Sequence, residues 1–312
     1  MGTAGIYTAF LYYGYLQEDV LMFKNAQGEQ FKQIWFLQTI EALANVVVGF
    51  VGRVVAGGTP GLPMNYFAIT GATQVAAKYF TSASTTYGLA FPVATLAKSG
   101  KMVPVMIGSL LIGGASYSVR EYLQVGAIVA GTAMVALAKK KGGGGSTPLG
   151  VACILASLAF DGVTGGVQKK LKASIKEKGL KDQPYDMMAF TNLFMMFVAL
   201  AAAVGLGELA PGLAYLQANP VILNKILAFA ACSALGQSFI FYTIANFDPL
   251  VCTTVTTTRK IFTVLLSIFT KGHAMNQQGW AGIGLACLGI LAEMQGKAFA
   301  AKGKTAAKKK NG

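Results

Sequence analysis

The sequence predicts an all-α polytopic membrane protein of about ten transmembrane helices, arranged as two inverted five-helix repeats. Three observations predict it. First, 54% of the 312 residues are apolar and only 12% are charged, with a mean hydropathy of +0.53. A water-soluble chain carries about 25% charged residues to cover its surface. Second, apolar runs of spanning length recur along the whole chain with short polar breaks. Third, the two halves share a faint internal repeat.

In order, the runs predict helices over 4–19, 33–56, 64–84, 86–112, 119–138, 148–171, 186–206, 221–246, 250–270 and 278–298. The first apolar run, Ile6 to Leu16, is short for a span of about 20 residues, which suggests a truncated start or an incomplete helix 1. No cleavable secretory signal is legible ahead of it. The seam Lys139–Ser146 (KKKGGGGS) has the composition of a flexible linker and divides five helices from five. The organisation expected is a first repeat over 1–138, a linker over 139–147, a second repeat over 148–298 and a basic tail over 299–312.

A shift of 158 residues places Lys101 on Arg259, Tyr122 on Trp280, Gly126 on Gly284 and Gly131 on Gly289. Gly14 and Gly162 correspond at a slightly different offset. Five is an odd number, so two such units in series insert in opposite orientations. Inverted repeats of this kind place a binding site near the membrane midplane, at the repeat interface. The basic residues then fix the orientation. With both termini cytosolic, 14 of them fall on the cytosolic side (Arg53, Arg120, six between Lys169 and Lys181, six from Lys297 onward) and 7 on the other. That asymmetry satisfies the positive-inside bias.

The remaining five basic residues, Lys78, Lys98, Lys101, Arg259 and Lys260, fall inside apolar spans. A cation at a helix centre costs about 2.5–3.5 kcal/mol on insertion scales, so each needs a reason to be there. Pairing with buried acids is the plainest reason, but the candidate acids are only Glu41, Asp161 and Glu293. Two or three acids cannot neutralise four or five cations, which predicts an anion-binding cavity lined by Lys98, Lys101, Arg259 and Lys260. Lys78 has the weakest claim, because its alkyl stem can carry the ammonium to an interface. Thr253 to Thr258 supply five hydroxyls beside the second pair of cations. Such threonines commonly bond back to their own helix, yet they also suit phosphate or ribose oxygens. Tyr12, Tyr13, Gln17, Gln237, Tyr242 and Thr256 are candidate polar or stacking contacts to a base and sugar; each alone is compatible with packing.

Several classes are excluded. A net charge of +14 invites a nucleic-acid reading, but the basic residues sit between apolar runs or at the C-terminus rather than on one soluble face. The four cysteines lie in apolar stretches without metal or redox spacing. One histidine and scattered acids make no paired-carboxylate or metal site, so neither an enzyme, a metal nor a cofactor is expected. A non-transporting membrane scaffold is the alternative of another class, and it leaves the intramembrane cations without a purpose.

The residues also carry a resemblance. Tyr12-Tyr13-Gly14-Tyr15-Leu16-Gln17-Glu18, FPVATLAKSGKMVPVM (Phe91–Met106), FDGVTG (Phe160–Gly165), SALGQSFIFYTIANFDPL (Ser233–Leu250) and TTTRK (Thr256–Lys260) resemble the nucleotide-sugar transporters of the UDP-galactose and adenylate type, within the drug/metabolite transporter superfamily. The resemblance runs nearly end to end. It implies ten helices, inverted repeats and antiport of a nucleotide-linked anion. TTTRK resembles the endoplasmic-reticulum branch, which implies UDP-galactose or UDP-glucose exchanged against a nucleotide, or alternatively ATP/ADP exchange. The adenylyl-sulfate branch is similar around Lys98 but usually lacks the Arg-Lys pair. The chain departs from the pattern in its glycine-rich seam, its basic segment over Lys169–Lys181 and its short amino end.

The last four residues place Lys309 and Lys310 fourth and third from the end, the dilysine pattern read by the coat-protein retrieval machinery of the endoplasmic reticulum. A coupling expectation follows from the charge count. Two unit charges about 8 Å apart at an effective dielectric near 20 repel by ~2 kcal/mol. An occluded cavity with uncompensated cations therefore crosses the membrane more easily with an anion than without one, which predicts strict exchange.

Overall fold

A computed structural model of the chain describes residues 2–101, 103–104, 106, 118–138, 147–246, 249–273 and 275–310; the side chains at 101, 169, 241, 244–246, 249–254 and 297–310 lie outside the description. The described helices are α1 (Gly2–Leu21), α2 (Ile34–Ala56), α3 (Met64–Thr86), α4 (Phe91–Ala97), α5 (Val119–Leu137), α6 (Pro148–Glu177), α7 (Pro184–Gly205), α8 (Leu209–Ala218), α9 (Pro220–Asn246), α10 (Pro249–Lys271) and α11 (Gln277–Lys310), with a 3₁₀ turn, Lys98–Lys101, continuing α4. Among the described residues, α2, α6, α7 and the Pro220–Ile240 part of α9 are each long and apolar enough to cross a membrane on composition alone.

Four differences from the expected helices have local causes. Helix α1 is not short: its 20 residues rise about 30 Å at 1.5 Å each. It continues through Glu18 and Asp19 because both acids have partners there. Ser267 and His273 each bond Glu18 at 2.6 Å, and Lys225 lies 2.7 Å from Asp19, which also binds Lys271. Helix α4 begins at Phe91 rather than at 86, because α3 runs to Thr86 and Gly88 turns the chain at φ +94°. The 3₁₀ turn at Lys98–Lys101 sits just before Pro104, whose missing N–H cannot bond the carbonyl four residues back. Helix α6 runs past 171 to Glu177 because Leu171 and Ile175, four apart on one face, bury against Leu62 and Phe67. Gly179 then ends it, with the Leu180 amide bonding the Ile175 carbonyl.

Helix α8 was not expected: it falls between the expected helices 186–206 and 221–246 and is only 10 residues long, too short to span a membrane. Proline is tolerated in a first turn, and Gly212 lets α8 approach the Phe36 ring, 2.6 Å from where a Cβ would stand. Leu216 seals it against Phe31 and Phe36. The Glu208 carboxylate ahead of α8 accepts hydrogen bonds from the Trp35 and Phe36 amides at 2.8 and 3.4 Å, so it caps α2, whose own Gln33 makes no side-chain cap. At the other extreme, α11 does not stop at 298. Its backbone stays helical to Lys310 through a stretch rich in alanine and lysine, both good helix formers. The seam 139–146 lies outside the described residues.

Packing follows a pattern of exchange. Helix α3 packs on α6 and α1 on α9; α3 packs on α7 and α9 on α2; α4 packs on α5 and α10 on α11. If α1, α2, α3, α4 and α5 correspond to α6, α7, α9, α10 and α11, each contact in these pairs has its counterpart with the halves exchanged. The corresponding pairs α2 with α7, α4 with α10, and α5 with α11 pack directly on one another.

The glycines make this exact in sequence register. A Cβ at Gly131 would stand 2.5 Å from the Ala286 amide and the Gly282 carbonyl, while one at Gly289 would stand 3.0 Å from the Ile128 amide and 2.9 Å from the Gln124 carbonyl. Residues 124, 128 and 131 shifted by 158 are 282, 286 and 289, so α5 and α11 present the same contact to each other, antiparallel. Gly126 and Gly284, the other pair under that shift, both face open space. Gly14 lies against Thr263 of α10, and Gly162 of α6 lies against Pro104, beyond α4.

The two ends of the bundle are tied differently. At one end Arg53 meets Asp186 at 2.7 Å, Asp186 accepts from the Thr59 amide at 2.9 Å, and the Thr59 hydroxyl reaches the Lys181 carbonyl. Arg53 and the end of the Lys169–Lys181 segment therefore lie together. At the other end stand Glu18, Asp19, Lys225, Lys271 and His273.

Candidate functional site

A cavity of about 490 Å³ opens between α1, α2, α3, α4, α6 and α10, and so takes walls from both halves of the bundle. Each wall has a local origin. The 3₁₀ turn delivers Lys98 at the end of α4. Arg259 and Lys260, about 100° apart on α10, reach the cavity from two sides, and both line it. Gly14 admits Thr263 against α1, which brings α10 close beside Tyr13 and Gln17.

Of the residues predicted to line a site, Tyr13, Gln17, Lys98, Arg259 and Lys260 do so. The side chain of Lys101 lies outside the description, as do those of Lys309 and Lys310. Tyr12, Thr256, Gln237 and Tyr242 are not among the lining residues. Tyr12 and Tyr242 are about half exposed on the outside of the bundle, and Tyr12 stacks on Tyr15 instead. Two other threonines of α10 bond backward: Thr258 to the Val255 carbonyl and Thr263 to the Arg259 carbonyl.

Two of the counted acids each pair with one of the intramembrane lysines. The Lys78 ammonium does not snorkel outward. It lines the cavity and meets Glu41 at 2.7 Å. Glu41 is 1% exposed; its Oε1 also accepts from the Tyr13 hydroxyl at 3.0 Å and Ser233 at 2.8 Å. Lys98 meets Asp161 at 2.5 Å and donates to Ser157 at 3.1 Å. Arg259 is held otherwise. Its guanidinium carbon lies 4.6 Å over the Phe10 ring, and its buried Nε has no hydrogen-bond partner among the described residues. A guanidinium with an unspent donor is suited to an incoming anion.

Sequence reasoning missed most of the neutral polar lining: Gln38, Gln74, Thr81, Thr95, Thr164 and Gln168. An available signal was their spacing. Gln74, Lys78 and Thr81 fall at helical intervals of four and three on α3, and Asp161, Thr164 and Gln168 at three and four on α6, each a polar stripe in a spanning helix. Among the described residues, no group of three or more His, Cys, Asp and Glu side chains is placed to hold a metal ion.

Comparison with known proteins places this geometry. The sequence profile of the UAA transporter family matches residues 1–297. "Solute carrier family 35 member B1" of Gallus gallus is 32% identical over 297 residues, covering 92% of this chain and 89% of that protein. The mouse protein of the same name is 30% identical, covering 92% and 89%. "UDP-galactose/UDP-glucose transporter 3" of Arabidopsis thaliana is 30% identical, covering 92% and 88%. Among solved structures, one crystal structure superposes with a TM-score of 0.55 at 14% identity, covering 93% of this chain and 95% of the other, a likeness of fold alone.

Proposed function

The chain belongs to the UAA transporter family, and from that premise we propose that it is an antiporter exchanging nucleotide-linked anions across the endoplasmic-reticulum membrane, with UDP-galactose or UDP-glucose moving against a nucleotide. Relatives named as transporters make it a nucleotide-sugar carrier in a membrane rather than an enzyme. The observation that carries the finer reading is the lining of Lys98, Arg259 and Lys260 on walls shared by the two halves of the bundle. Phosphate is the group these cations select, since an intramembrane guanidinium with an unpaired donor gains most from a charged acceptor.

Alternating access fits the architecture. The inverted repeat is supported by the antiparallel, reciprocal packing of α5 on α11, and by the exchange of contacts between the halves. Cytosolic termini are supported by the basic residues gathered at the Arg53 end. Placement in the endoplasmic reticulum rests on the resemblance around Thr256–Lys260.

The test is uptake of a panel of labelled substrates (UDP-galactose, UDP-glucose, ATP, ADP and adenylyl sulfate) by purified protein in liposomes. Uridine nucleotide sugars are expected to exchange fastest. Lys260→Ala and Arg259→Ala are each expected to abolish most of the uptake while the protein still expresses and melts as a folded unit. Uptake by both variants at the parent rate would place the substrate elsewhere.

A further inference from the structure

The cavity is chemically two-sided, and only its cationic wall is explained by phosphate. Lys98, Arg259 and Lys260 sit on α10 and on the turn ending α4, a pair of elements packed together. Gln38 on α2 and Gln74 on α3 belong to another packed pair. Gln38 is 2% exposed, yet its Oε1 has no hydrogen-bond partner among the described residues, and neither has the buried Oε1 of Gln74. One turn along each helix, Glu41 and Lys78 are bonded to each other. The ion pair therefore does not draw on the two amides.

A buried amide oxygen without a donor costs about 1–3 kcal/mol. Gln38 and Gln74 both line the cavity, and a ligand that turns each amide toward it can supply the missing donor. A carboxamide is planar and offers an acceptor beside a donor. That edge is complementary to the planar donor–acceptor edge of a nucleobase, as glutamine and asparagine show when they pair with adenine in DNA grooves. Sugar hydroxyls rotate and fit many partners, so they do not require a planar pair.

We propose that Gln38 and Gln74 form the nucleobase-reading wall of the cavity, while the cations on α4 and α10 hold the phosphates. The proposal rests on the carrier reading above and adds the residues that choose the base. It also shifts base selection away from Gln237 and Tyr242, which lie off the cavity.

The test uses full-length protein in detergent and in liposomes, with Gln38→Leu and Gln74→Leu made separately. Dissociation constants are measured for pyrophosphate, ribose 5-phosphate, UDP, ADP and UDP-glucose. Both variants are expected to melt no lower than the parent, because each removes an oxygen that has no partner. Both are expected to bind pyrophosphate and ribose 5-phosphate as the parent does. The preferred one of UDP and ADP is expected to weaken at least about tenfold, the scale of one good base contact, and the preference between the two to collapse. Equal weakening of pyrophosphate would overturn the proposal, since the glutamines would then serve the phosphates or the architecture. So would an intact UDP/ADP preference accompanied by a changed ratio of UDP-glucose to UDP, which would assign them to the sugar. Lower melting points in both variants would likewise assign them to packing. Failure of the parent protein to bind pyrophosphate or any nucleotide would instead overturn the carrier reading beneath it.

Discussion

The Asp161 carboxylate lies 2.5 Å from the Lys98 ammonium, inside the cavity that both line. A phosphate arriving at Lys98 therefore meets an anion of the protein's own and must displace or share it. That relationship tempers the repulsion expected from the charge count, because Asp161 and Glu41 each compensate one lysine. It leaves Arg259, over Phe10, as a cation without an acid beside it among the described ion pairs.

Asp161→Asn keeps the shape and removes the competitor. Nucleotide binding is expected to tighten about tenfold, the equivalent of 1.4 kcal/mol, while maximal exchange slows because release must break a stronger contact. The ratio of exchange to uptake by unloaded liposomes should rise, since the carrier without substrate then holds one more uncompensated cation. Isothermal titration beside uptake checks both; unchanged affinity would show that Asp161 does not compete for Lys98.

Glu41→Gln should be costly. Removing one member of a buried pair typically destabilises by about 3–5 kcal/mol, and Tyr13 and Ser233 lose the carboxylate they share with Lys78. Pairing it with Lys78→Met should recover most of the loss. Melting curves of the single and double variants decide this, and equal destabilisation by both would show that the ion pair is not what Glu41 supports.

The glycine pairs make a matched experiment. Gly131→Ala and Gly289→Ala push a methyl to within 3.0 Å of opposing backbone, whereas Gly126→Ala and Gly284→Ala meet nothing within 4 Å. The first two should each destabilise by about 1–3 kcal/mol, the range for overpacking. The second two should be neutral or stabilising, since alanine is the better helix former. Similar melting points for all four would contradict the reciprocal contact of α5 and α11.

Glu208 gives a pH signature outside the spanning helices. Burial pushes its carboxyl above the usual value, and the Trp35 and Phe36 amides oppose this by favouring the charged form. Because its folded value is raised, the folded protein holds this proton more tightly than the unfolded chain. Stability from this group is then full below about pH 4.3, the ordinary value, and declines as pH rises through the raised one. Glu208→Gln should flatten that slope in melting temperature against pH. Glu208→Ala should lose the cap of α2 as well, at about 1 kcal/mol.

Much of the fold was legible because its signals are local. Apolar length placed a helix at ten of the described helices, and the 158-residue shift pointed to Gly131 and Gly289, which make reciprocal contacts between α5 and α11. Helix α8 was not legible, because its 10 residues fall far short of a span of about 20, and what holds them is Phe36 packed on Gly212. The site was legible where charge stood out in an apolar span, at Lys98, Arg259 and Lys260. Its neutral half was legible only as the polar stripes of α3 and α6, and Gln38, outside both stripes, carries no mark of facing a cavity until its neighbours across the bundle are placed. Pairing was hidden for the same reason: Lys78 and Glu41, or Lys98 and Asp161, are neighbours only through tertiary packing.

The carrier reading requires obligatory exchange of one nucleotide-linked anion for another. The most direct measurement is the initial rate of labelled UDP-galactose uptake by purified protein in two liposome preparations, one preloaded with unlabelled nucleotide and one without internal nucleotide. Because Asp161 and Glu41 temper the repulsion in the unloaded, occluded carrier, uptake is expected several-fold faster into the preloaded liposomes, below the about thirtyfold that an untempered ~2 kcal/mol would give. Equal initial rates in the two preparations would contradict exchange and make the protein a uniporter or a carrier coupled to another ion.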